Sequence, residues 1–81
     1  MIEIISRPIC ASCGYVTEIL DRDGISYTLY DREFQSSDSR VMELIQEADS
    51  EGYTKIPLIF QDGQCIGSGV GALYNIRNKK E

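Results

Sequence analysis

Histidine is absent from these 81 residues, and cysteine occurs only three times. Those shortages argue against a zinc centre. Structural zinc takes four nitrogen or sulfur ligands, and no second CxxC exists to complete a set. Basic residues are also scarce: eight lysines and arginines face thirteen aspartates and glutamates, for a net charge of −5. Binding a phosphate backbone needs a basic face, so nucleic acid is disfavoured as a partner. The only basic run, Arg77-Asn78-Lys79-Lys80, is expected to complement the C-terminal dipole of a last helix. No apolar stretch approaches the roughly 20 residues that span a bilayer. The first apolar run stops at Ser6 without the basic start of a secretory signal. The expectation is a single domain over residues 1–81, cytoplasmic, monomeric and away from membranes, near the lower size limit for a core without staples. Unspecialised disulfides are rare in such a compartment, so a CxxC there reads as catalytic or metal-binding.

No repeat, low-complexity segment or linker interrupts the chain. Ile2–Ser6 is apolar and β-branched and reads as a strand. Val16, Ile19 and Leu20 have helical spacing from about residue 11 to 23, and Asp23-Gly24 closes the pattern as a C-cap does. Residues 25–30 alternate as a second strand, with Tyr27 and Leu29 facing one way. Ser36-Ser37-Asp38-Ser39 supplies a helix start, and Val41, Leu44, Ile45 and Ala48 make the amphipathic stripe that follows. After a loop at 50–55 comes a third strand over 56–60, opened by Pro57. An Asp62-Gly63 hairpin turn and a short strand over 64–66 follow. Gly67-Ser68-Gly69-Val70-Gly71 leads into a last helix carrying Ala72, Leu73 and Ile76. The order is βαβαββα: a parallel crossover, then a hairpin plus helix.

Cys10-Ala11-Ser12-Cys13 lies at the seam between the first strand and the first helix. A thiol there meets unsatisfied backbone N–H groups and the positive end of the helix dipole, and both favour thiolate. Two cysteines three apart share a helix face, so Cys10 can attack and Cys13, one turn in and more buried, can resolve. The chemistry this spacing points to is thiol–disulfide exchange. Cys65, far away in sequence, reads as a small apolar packing residue. Tyr53 before the Ile-Pro pair is placed equally well by loop packing or by the cleft.

Three separated elements now stand in order: CxxC after the first strand, Ile56-Pro57 at the third, and a glycine-rich turn before the last helix. In this the chain resembles the small dithiol glutaredoxins over nearly its whole length. The resemblance implies an α/β thioredoxin-like fold with a four-stranded mixed sheet and three helices. It also implies reduction of protein disulfides or glutathione mixed disulfides, with glutathione as reducing co-substrate and no metal. Disulfide-containing or glutathionylated proteins would be the substrates, ribonucleotide reductase among them. Cys10 would be the nucleophile and Cys13 the resolving thiol. Arg7 stands where the family often has lysine, Pro57 matches its cis-proline with Ile56 turned toward the incoming chain, and Gly67, Ser68, Gly69 and Val70 match the turn that holds glutathione's γ-glutamyl end. Pro8 would shape the loop.

Two departures bear on those expectations. Val70-Gly71 replaces the acidic residue that usually follows the glycines, which favours an alternative reading: a glutaredoxin-like redoxin supplied by thioredoxin reductase. Ala11-Ser12 replaces the common Pro-Tyr pair, and loss of that proline keeps an iron–sulfur carrier as a second alternative.

Overall fold

The computed structural model describes residues 1–7, 9–35 and 37–76. The expectations for Pro8, for Ser36 in the helix start and for a helical ending at 77–80 lie outside the described residues. Strand β1 (Ile2–Ser6) is buried at every position. It pairs in parallel with β2 (Tyr27–Asp31) and antiparallel with β3 (Leu58–Gln61), which pairs antiparallel with β4 (Gln64–Ser68). The mixed sheet has the order β2-β1-β3-β4. Period-two alternation divides the core between its faces. Ile2, Ile4 and Ile59 pack with Val16 and Leu20 of helix α1 (Ala11–Arg22), and with Ala72 and Ile76. Ile5, Leu58, Phe60 and Cys65 pack with Val41, Leu44 and Ala48 of helix α2 (Ser39–Ser50). This is the thioredoxin-like α/β architecture the sequence pointed to.

The helix ends follow local chemistry. Asp38 caps α2 by accepting from the amides of Arg40 (2.8 Å) and Val41 (3.4 Å), so one residue of the Ser-Ser-Asp-Ser run does the capping. Gly24 ends α1 with positive φ, while the Ile25 amide reaches back to the Leu20 carbonyl at 2.9 Å. Asp62 and Gly63, both at positive φ, form the tight turn of the β3–β4 hairpin.

Strand β4 runs two residues beyond the expected end and takes in Gly67 and Ser68. Its register shifts because Gly67 pairs with Ile59 and Cys65 with Phe60, leaving Ile66 as the extra residue of a bulge. The Ile66 carbonyl, freed by the bulge, accepts from Asn75 Nδ2 at 2.7 Å. That bond ties β4 to the third helix, which is a 3₁₀ helix over Val70–Asn75. Flanking and internal glycines and its short length favour i→i+3 bonds over an α-helix here. Cys65 is buried in the α2-side core, where burial pushes its thiol up and its Sγ donates to the Gly67 carbonyl at 3.7 Å.

The apolar first strand also hides a charge. Glu3 is 5% exposed, and Arg40 closes on it with Nη2 at 2.6 Å and Nε at 2.9 Å, while Tyr30 donates its hydroxyl at 3.1 Å. The Arg40 bonds hold the Glu3 carboxyl below the usual carboxylate range, against the upward pull of its burial. A lowered folded-state pKa contributes stability above the unfolded carboxylate's value of about 4.3 and loses it as pH falls through the folded value. In acid unfolding followed by circular dichroism, Arg40→Met is therefore expected to move the midpoint to higher pH. Glu43→Gln, which removes only Arg40's exposed second partner at 2.8 Å, is expected to move it little. Equal shifts would locate the effect in the exposed pair instead. Gly67 adds a second expectation. At φ +150°, a Cβ there would lie 2.9 Å from the Ala72 Cβ, so Gly67→Ala should lower the urea-unfolding free energy by about 1–3 kcal/mol.

Candidate functional site

Strand β1 ends at Ser6, and α1 begins at Ala11, directly after Cys10. Cys10 has extended backbone and is the N-cap residue itself; its Sγ accepts from the Cys13 amide at 3.2 Å. A sulfur in the place of a capping oxygen meets one of the four unpaired donors of the first turn and the positive end of the dipole. Cys10 and Cys13 are joined as a disulfide with their Cα atoms 5.3 Å apart. Their exposure differs. Cys13 is 5% exposed and faces the core, whereas Cys10 is half-buried and Ile9 beside it is 96% exposed. An external thiol or thiolate therefore meets Cys10 first.

Two grooves open at Cys10. One, of about 380 Å³, is lined by Arg7, Ile9, Arg32, Thr54, Lys55 and Ile56. The other, of about 190 Å³, is formed by Ser6, Arg7, Cys13, Gly14, Thr17 and Leu29. Leu29, on the same strand face as Tyr27 by alternation, is 49% exposed on edge strand β2 and lines this second groove. Thr17 stays in place through its hydroxyl, which donates to the carbonyls of Cys13 (3.2 Å) and Gly14 (3.0 Å).

The loop after β2 supplies Arg32. Its amide extends the parallel ladder to the Ser6 carbonyl at 2.8 Å, and Asp31 Oδ1 then accepts from Glu33 (2.8 Å) and Phe34 (2.9 Å) in an Asx-type turn. Arg7 faces Glu33 across 3.8 Å, an exposed and loose pair. Lys55 comes from the loop immediately before Ile56-Pro57, whose peptide bond is cis. Tyr53 is half-buried and packs against the α2-side core.

The residues expected to serve the site fall into two neighbouring sets. Arg7, Cys10 and Ile56 line one groove. Gly67, Ser68, Gly69 and Val70 sit at the end of β4 and the start of the 3₁₀ helix, joined to Pro57 because the Gly69 amide donates to its carbonyl at 2.8 Å. Val70 itself lines a different depression with Tyr15, Ile19 and Leu73. Arg32, Thr54 and Lys55 escaped the reading of the sequence. The available signal was positional: Arg32 directly follows β2, and Lys55 directly precedes the Ile-Pro pair. Among the described residues no group of three or more histidines, cysteines or acids is placed to hold a metal ion, and no helix is long and apolar enough to cross a membrane.

No protein-family model matches the sequence, and no curated protein does. Solved structures do match. The holo form of glutaredoxin C1 from Populus tremula x tremuloides superposes with a TM-score of 0.71 at 24% identity over 91% of this chain. A buckwheat glutaredoxin–glutathione complex gives 0.70 at 23% identity, also over 91%. A variant of a thioredoxin-like protein gives 0.70 at 20% identity, over 96% of this chain and 100% of that one. This chain spans 64% of the length of each of the two plant glutaredoxins. The structural neighbours are thus glutaredoxins and a thioredoxin-like protein, and this chain has the thioredoxin-like fold they share, with a CxxC pair at the start of its first helix.

Proposed function

We propose that this protein is a glutaredoxin-type thiol–disulfide oxidoreductase that takes its electrons from glutathione. The observation that carries the reading is the Cys10–Cys13 disulfide, with Cys10 accessible and capping α1 and Cys13 buried behind it. In the reduced protein the α1 N-terminus favours the Cys10 thiolate, which attacks a substrate disulfide. One substrate sulfur leaves as a thiol and the other is held on Cys10. Cys13 then displaces it, releasing reduced substrate and forming the Cys10–Cys13 disulfide. A glutathione thiolate attacks Cys10 to restore Cys13, and a second glutathione attacks the bound one, leaving as glutathione disulfide.

Support for glutathione comes from the groove and from the buckwheat neighbour, whose structure is a glutathione complex. Arg7 and Ile56 stand in the groove next to Cys10. In this reading Pro57 and the turn of Gly67, Ser68, Gly69 and Val70 complete the glutathione site, the turn being linked to Pro57 by the Gly69 amide. Substrates are protein disulfides and glutathionylated proteins, ribonucleotide reductase among them, reduced by a cytoplasmic monomer. One observation favours a second reading. The Gly69 amide is already engaged and Val70-Gly71 brings no acid, so the turn offers less to a glutamyl group. Thioredoxin reductase is the reductant in that case.

The test is turnover of a small mixed disulfide with glutathione, glutathione reductase and NADPH, beside the same assay with thioredoxin reductase alone. Glutathione-dependent turnover is expected. Cys10→Ser should reduce it to the uncatalysed rate, while Cys13→Ser should retain part of it, because glutathione can resolve the mixed disulfide directly. Turnover with thioredoxin reductase alone would select the second reading. After reduction, iodoacetamide at neutral pH should label Cys10 long before Cys65, whose thiol is buried and pushed up. Cys65 labelling first would contradict the assigned nucleophile.

A further inference from the structure

The groove beside Cys10 carries a charge opposite to that of the whole chain. The protein has a net charge of −5, yet Arg7, Arg32 and Lys55 meet around one opening of about 380 Å³. Nearby acids cancel this only in part. Glu33 lies 3.8 Å from Arg7, and Asp31 Oδ1 is engaged by the loop's own amides. Among the described residues neither Arg32 nor Lys55 has a carboxylate partner. Two cations without a carboxylate partner therefore line the space beside the accessible sulfur, together with the apolar Ile9 and Ile56. Nothing in the packing of the fold calls for them, because both are exposed.

We propose that Arg32 and Lys55 are specificity-determining residues that select protein substrates whose disulfide is flanked by aspartate or glutamate. The inference rests on the exchange chemistry proposed for Cys10 and Cys13 and adds the substrate's charge to it. A chain in extended conformation that presents its disulfide to Cys10 lays its neighbouring side chains in this groove. Carboxylates there meet Arg32 and Lys55 at short range, where salt screens least. Acids farther off than a Debye length, about 10 Å at 0.1 M salt, are largely screened. An exposed charge pair changes a binding constant by up to ~5-fold. Two such contacts support a preference of about 10-fold for an acidic over a neutral substrate, falling as salt rises.

Three synthetic peptides test this, each closed by one internal disulfide and differing only in flanking residues: acidic, amide or basic. Prereduced protein is mixed with each peptide in a single turnover without glutathione, and reduced peptide is measured after an acid quench. The dithiol supplies both electrons, so no other reductant enters. The acidic peptide is expected to react about 10-fold faster than the amide peptide, and the basic one more slowly than either. In the Arg32→Gln/Lys55→Gln double variant the acidic-to-amide ratio should collapse toward one. Equal rates for all three peptides would overturn the charge selection while leaving the exchange reading intact. A ratio that survives in the double variant would overturn the assignment to Arg32 and Lys55. Failure to reduce any peptide would overturn the exchange reading, and the selection with it.

Discussion

Strand β1 has no exposed face, so each of its side chains must be matched by a layer above or below. Ile2 and Ile4 are met by α1 and the 3₁₀ helix, and Ile5 by α2. The same burial would push the Glu3 carboxyl up, and Arg40, reaching across from α2 with two hydrogen bonds, outweighs it, with Tyr30 donating a third. Both layers are thus pinned to one strand, and the CxxC pair follows the end of that strand. Cys10 stands between the end of that strand and α1, where it meets the first free amides of the helix.

That arrangement divides the labour between the cysteines. Capping places Cys10 Sγ on the Cys13 amide at the exposed rim, and helical geometry carries Cys13 inward to 5% exposure. One sulfur is addressable and the other waits behind it, an order that suits a thiolate followed by a resolving thiol. Cys65 lacks both conditions. It lies in the core, bonded to a strand carbonyl, and burial is the largest of the causes that push its thiol up. The three cysteines differ in chemistry because the fold gives them different access to water and to backbone donors.

The glycine-rich segment is the place where this chain handles its fold in its own way. A bulge at Ile66 takes Gly67 and Ser68 into β4, the Asn75 side chain closes the freed carbonyl, and a 3₁₀ helix follows. The Gly69 amide is spent on Pro57. The turn therefore holds the cis-proline loop and the last helix together.

Much of this was legible in the sequence because it is local. The periodicity of Val41, Leu44 and Ala48, the helix start in the run that holds Asp38, the Asp62-Gly63 turn and the cysteine at a helix start are each set by residues within a few positions of one another. Hydrophobic period and capping chemistry need no knowledge of the rest of the chain. The bounds of β4 and the 3₁₀ character of the last helix were not legible, since both depend on a bulge set by pairing with β3. The ion pair of Glu3 with Arg40 joins positions 37 apart, and a lone acid in an apolar strand gives no sign of its partner. Arg7, Arg32 and Lys55 are likewise scattered along the chain, after β1, after β2 and before β3, and meet only in the folded groove. The sequence by itself determined the order of the elements and the CxxC pair at the start of the first helix. Tertiary structure alone decided which charges surround that sulfur, because charge acts through space and its neighbours are chosen by the fold.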